Sequence, residues 1–155
     1  MKLRLTFLTL AFCVFAVVAS FASDSNLGSW KLNESKSNIP AGVSKNTSVV
    51  YTAADGENLK TVVDGVDGSG NPTHNEWTGK FDGKDYQVVG DPNADTRAIT
   101  KVDENNFKLL NKKDGKPTVT GTIVTSADGK TRTLTTHSTT AEGKKVSATF
   151  VYDKQ

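Results

Sequence analysis

The chain has 155 residues, with 19 Lys and Arg against 17 Asp and Glu and a single cysteine. That length suits one domain. A formal charge of +2 with no basic run excludes the electrostatic footprint of a nucleic-acid binder, and one cysteine excludes an internal disulfide framework.

In chain order, Met1-Lys2-Leu3-Arg4 is a short basic head. Leu5 to Val18 is almost wholly apolar, and Ser20-Phe21-Ala22 offers small residues before Ser23. The three zones predict a cleavable secretory signal peptide over 1–22 and one domain over 23–155. The expected location is therefore periplasmic or secreted. The apolar run is too short to span a bilayer comfortably, so no membrane insertion is expected after cleavage. Cys13 lies inside that run, behind the bulky Phe12, which excludes a lipidation site. Residues 23–155 carry 17 basic and 17 acidic side chains and no cysteine, so the domain must be held by its core alone. That core is lean, with 13 Val, 6 Leu, 3 Ile and 3 Phe in 133 residues. Such a set, among many threonines, suits a barrel whose lumen is partly polar or hollow.

Asp-Gly pairs at 55–56, 64–65, 67–68, 82–83, 114–115 and 128–129, with Glu142-Gly143, punctuate the domain. Asp-Gly between alternating segments signals a hairpin, because tight hairpin turns need positive φ. The runs between them, rich in Val, Thr and aromatics, predict ten strands over 27–33, 46–53, 58–66, 73–81, 85–90, 95–103, 106–112, 117–126, 131–140 and 145–153. Residues 34–44 form the one long connection, with room for a single helical turn because Pro40 and Gly42 oppose a longer helix. No 3.6-residue apolar period is sustained. The predicted fold is all-β: an antiparallel up-and-down meander closing into a ten-stranded barrel, which removes exposed edges. A two-sheet sandwich is the alternative. Ten strands enclose more than side chains can fill.

Strand parity then sorts the side chains. Trp30 is expected as a core plug at the closed end, its indole N–H bonded to a carbonyl. Trp77 shares a face with Thr73, Asn75, Gly79 and Phe81, while His74, Glu76, Thr78 and Lys80 take the solvent face. The domain has 15 Lys but only two arginines, Arg97 and Arg132. Arg132 lies on a face with Leu134, Thr136 and Ser138, and a luminal arginine near the barrel mouth would pair with an anionic ligand head. Arg97 sits beside Ile99 and Lys101, a face that alternation does not orient. His74 and His137 fall on exposed faces, so no metal or haem site is expected. Asp67-Gly-Ser-Gly-Asn71 resembles a calcium loop in its alternate oxygens, but Pro72 and Thr78 stand where Gly and Glu are required; it is read as a turn. No nucleophile elbow, phosphate loop or zinc-binding helix is present, and the domain is not expected to be an enzyme.

The first strand reads Leu27-Gly28-Ser29-Trp30-Lys31-Leu32-Asn33. A Gly-x-Trp there, followed by a hairpin-linked meander, resembles the calycins, the lipocalins and fatty-acid-binding proteins. The closing Phe150-Val151-Tyr152-Asp153-Lys154 is similar to the last strand of fatty-acid-binding proteins, where an Arg-x-Tyr pair holds a ligand carboxylate. Tyr152 matches the tyrosine, and Phe150 stands at the arginine's position. As a whole the domain resembles small exported bacterial lipocalin-like proteins.

The resulting expectation is a monomeric binding or carrier barrel for an apolar or amphipathic small molecule, with no cofactor. Its expected pocket residues, by parity, are Tyr51, Trp77, Phe81, Arg132 and Tyr152. The alternative is a structural or inhibitory protein-interaction module whose barrel is filled. An enclosed void would favour the first and a packed lumen the second. N-terminal sequencing of the exported protein is expected to begin at Ser23, within a residue or two; an exported form beginning at Met1 would refute the processing.

Overall fold

The computed structural model describes residues 26–139 and 143–155. The expected signal peptide over 1–22 lies outside the described residues. Ten strands follow one another: β1 Gly28–Leu32, β2 Lys45–Ala53, β3 Leu59–Val66, β4 Pro72–Gly79, β5 Tyr86–Val89, β6 Thr96–Lys101, β7 Asn106–Lys113, β8 Lys116–Thr125, β9 Thr131–Thr139 and β10 Lys145–Lys154. Each pairs antiparallel with the next, and β1 pairs with β10 from Trp30↔Lys154 to Leu32↔Tyr152. The sheet is therefore a closed barrel and not two stacked sheets. All ten strands lie within two residues of their predicted bounds.

The reason is local. In β4 the pattern His74, Glu76, Thr78 outward and Asn75, Trp77, Gly79 inward leaves one register that buries the indole, and a one-residue slip would expose it. Outward charges then pair across strands, as Lys60 with Glu76 at 2.8 Å and His74 with Asp64 at 2.7 Å. The turns follow their chemistry. Asp114 and Gly115, at φ 50° and 72°, make the two-residue connection closed by Lys113↔Lys116, and both central residues of such a turn need positive φ. Asp64-Gly65, despite its turn signature, lies inside β3 as the predicted strand over 58–66 has it, paired with Ser48 and Asn46 at a bulge in β2. Gly65 is required there because the Lys45 carbonyl oxygen occupies the space of a Cβ. The 34–44 connection holds one 3-10 turn, Glu34–Lys36, capped by the Asn33 side chain.

The meander places β2–β3, β4–β5, β6–β7 and β8–β9 hairpins at one end of the barrel, with the entry to β1. That end is shut. Trp30 is 1% exposed and donates its Nε1–H to the Asn26 carbonyl at 3.0 Å. The Arg132 guanidinium lies 4.1 Å from the indole centroid and 4.7 Å from the Tyr51 ring. Phe81, from the β4–β5 connection, meets Phe107 at 5.1 Å, Trp77 at 6.2 Å and Tyr51 at 6.4 Å between centroids. It joins the core around Trp30 and Phe150 to that around Trp77 and Phe107.

Trp30→Ala is expected to lower the unfolding free energy by about 3–5 kcal/mol in urea titration, the usual cost of emptying a buried tryptophan site. A double-mutant cycle of Trp30→Phe with Arg132→Met is expected to return a coupling of about 0.5–2 kcal/mol. Additive losses would show that the stacked cation contributes nothing to closure.

Candidate functional site

Above the plug the barrel is hollow. A cavity of about 550 Å³ runs from Trp30 to the opposite end, within the range of small-molecule sites. Its mouth is ringed by Gly42, Asp67 and Asp91, from the connections at that end, and by Thr139 at the end of β9. The β3–β4 hairpin and the 34–44 segment touch over the rim, where the Gly42 carbonyl oxygen packs directly against Gly68. The Asp67 loop behaves as a turn: the carboxylate accepts from Ser69 N, Asn71 N and Asn71 Nδ2 at 2.8–3.0 Å, and bonding to Asn71 holds it below the usual carboxylate range.

The wall changes character with depth. Val49, Val63, Ile99, Leu109, Ile123 and Leu134 form an apolar belt at mid-height. At the floor, Tyr152 and Thr61 are each 2% exposed, and neither hydroxyl has a hydrogen-bond partner among the described residues. Burial, aided by the neighbouring Tyr51 phenol and opposed by Arg132, pushes the Tyr152 hydroxyl well above the ordinary tyrosine range. It stays a protonated donor at any physiological pH.

Between belt and mouth stands Arg97, 8% exposed. Its Nε donates to Asn111 Oδ1 at 3.0 Å. Its two terminal nitrogens both reach Asn75 Oδ1 at 3.5 Å, and Nη2 lies 3.5 Å from Asp91 Oδ2. The Trp77 indole donates to the Arg97 carbonyl at 3.0 Å, tying β4 to β6 behind β5 and fixing the backbone from which the arginine projects. Burial lowers the Arg97 pKa, with Tyr51 and Asp91 opposing. A guanidinium does not lose its proton for that reason, so a buried positive charge remains.

Of the expected pocket residues, Tyr51, Arg132 and Tyr152 line the cavity. Trp77 and Phe81 face inward but do not line it: they lie in the packed cores and the plug. Arg132 is luminal, yet at the closed end and not the mouth, where its Nη2 donates to Asn26 Oδ1 at 2.7 Å. Polar wall residues outside that expected set include Arg97, Asn75, Asn111 and Thr61; parity had put Asn75 on the inward face with Trp77 without naming it a pocket residue. The scarcity of arginine was the available signal for Arg97. Its orientation was hidden because Ala98 and Ile99 are both buried, at 4% and 3% exposure, so β6 shows no polar face to read. Among the described residues, no three His, Cys, Asp or Glu side chains are grouped to hold a metal ion.

Topology and cavity together define a hollow, ten-stranded up-and-down β-barrel. No family model and no curated protein matches the chain. A solved structure described as "Structure of EF1p2_mFAP2b bound to DFHBI" is similar at a TM-score of 0.49 and 9% identity, over 86% of this chain and 97% of that one.

Tyr152→Phe removes almost no volume and a buried hydroxyl without a hydrogen-bond partner among the described residues. It is expected to leave the unfolding free energy unchanged or to raise it by up to about 1 kcal/mol. A loss larger than that in chemical denaturation would mean the hydroxyl is bonded in the free protein.

Proposed function

We propose that this is an exported, lipocalin-like small-molecule binding or carrier protein, which takes an apolar or amphipathic ligand into the barrel. The observation that carries the reading is the cavity of about 550 Å³ with an apolar belt and a single shut end. A filled barrel gripping another protein by its loops needs no such space, and the void argues against that alternative. Burying a ligand against a preformed apolar wall is favourable by roughly 25 cal/mol per Å² before association costs. The wall stands ready because closed pairing leaves no strand to rearrange.

The neutral fluorophore phenylnaphthylamine is expected to bind the folded domain with stoichiometry near one and to be displaced by a long-chain amphiphile. Leu109→Trp, which fills the belt with an indole, is expected to abolish that binding while the circular dichroism stays that of a β-barrel. Absence of binding by the folded wild type, or binding unchanged in Leu109→Trp, would remove the carrier reading.

A further inference from the structure

The lumen holds one polar assembly that the apolar belt does not explain. Arg97, Asn75 and Asn111 stand on β6, β4 and β7, buried to 8%, 7% and 8% exposure, and all three line the cavity. An arginine only donates, so both asparagines must turn their carbonyl oxygens toward it. This fixes the flip of each amide and aims its Nδ2 elsewhere. Neither Nδ2 makes a hydrogen bond among the described residues. Arg97 itself is short of acceptors. Its Nε has a bond of ordinary length, while the terminal fork shares one oxygen at 3.5 Å and meets Asp91 at 3.5 Å, the long limit for such bonds. The collar therefore offers a planar fork flanked by two amide donors, and Asp91 is the one carboxylate paired with it among the described residues. Taking a guanidinium this far out of water is costly unless acceptors replace the solvent, and the resident acceptors do so incompletely.

We propose that this collar is the head-group site of the lumen, taking an oxyanion-bearing amphiphile whose head lies at Arg97 toward the mouth and whose apolar body fills the belt beneath. Asp91 occupies part of the place a ligand oxyanion takes, and the ligand displaces it. The proposal rests on the carrier reading and adds the head chemistry and the direction of entry. A planar fork selects carboxylate, sulfonate or phosphate, which it holds through two parallel bonds. The opposite orientation would set the head at Arg132, whose guanidinium is already stacked on Trp30 and Tyr51 and bonded to Asn26.

The test compares two probes of one ring system, anilinonaphthalene sulfonate and neutral phenylnaphthylamine, on the full domain. Arg97→Gln is expected to weaken the sulfonate about tenfold or more, the loss of a charge-assisted pair, and to leave the neutral probe within about twofold. Asp91→Asn, which keeps the oxygen that accepts from Asn93 N at 2.9 Å, is expected to tighten the sulfonate several-fold and leave the neutral probe unchanged. Should Arg97→Gln not fold, Asp91→Asn decides alone. Dodecanoate is expected to displace the sulfonate at least about tenfold better than dodecanol in the wild type, and acetate not at all, which marks an acid with an apolar body as the occupant and not a small free anion. Parallel changes for both probes, a dodecanoate margin that survives Arg97→Gln, or displacement by acetate would each overturn the proposal. Failure of both probes to bind wild type would instead overturn the carrier reading on which it rests.

Discussion

Trp30 sits where β1 enters the barrel, and its burial to 1% exposure is what turns a tube into a vessel. Three contacts make that burial tolerable. The Asn26 carbonyl accepts the indole N–H, the Arg132 guanidinium lies over the ring, and Lys154 approaches it at 5.1 Å. A cation over the electron-rich ring face recovers part of what it loses in leaving water. With this end shut, Phe81 and Phe107 pack above the bottom hairpins and the two apolar clusters become continuous. The cavity then has a floor and one mouth, and polar groups along its wall acquire a depth.

The two arginines of the domain show how one residue type serves opposite ends. Arg132 is satisfied largely by π faces and an asparagine, a setting in which its planarity is structural. Arg97 is met by oxygens held slightly too far away, a setting in which its planarity remains available. The fifteen lysines take a different place. Those held in ion pairs, such as Lys80 with Glu57 and Lys112 with Asp85, lie on the outer surface or rim, where each pair adds little stability. Lysine is strongly hydrated and flexible, so it decorates the outside. Arginine, more weakly hydrated and rigid, is the cation that goes inside.

Strand β5 sets the shape of the site more than its four residues suggest. It pairs with β4 only at Glu76↔Val89 and Trp77↔Val88, and with β6 only at Tyr86↔Arg97 and Gln87↔Thr96. The Trp77 indole compensates by bonding the Arg97 carbonyl past it. Tyr86 packs over Gly79, where any Cβ would collide with its ring. Immediately beyond β5 the chain turns through Gly90 and delivers Asp91 to Arg97. A short strand thus places an acid against a base on the rim of the cavity.

The ten strands were legible from sequence because each signal is local: a Val- or Thr-rich run alternates over a few residues, and in most cases an Asp-Gly or Glu-Gly break ends it. Asp64-Gly65 carries a turn signature yet lies within β3, as the predicted strand over 58–66 had it; what sequence did not show is the bulge in β2 that brings the Lys45 carbonyl against Gly65, a contact between strands that no window of sequence contains. Trp30's role and its carbonyl partner were readable for the same local reason. The depth of a side chain was not. Parity says inward or outward, and it put Tyr51, Trp77, Phe81, Arg132 and Tyr152 on one list. Height along the barrel depends on strand stagger and closure, and these divide the list into cavity wall and plug. Arg97 is the sharpest case: followed by buried Ala98 and Ile99, it offers alternation nothing to read. Sequence by itself determined the meander and the inward set, because those depend on neighbours in the chain. Only the tertiary structure decided which end is shut and which arginine meets the lumen with its fork still open, because those depend on residues brought together by closure.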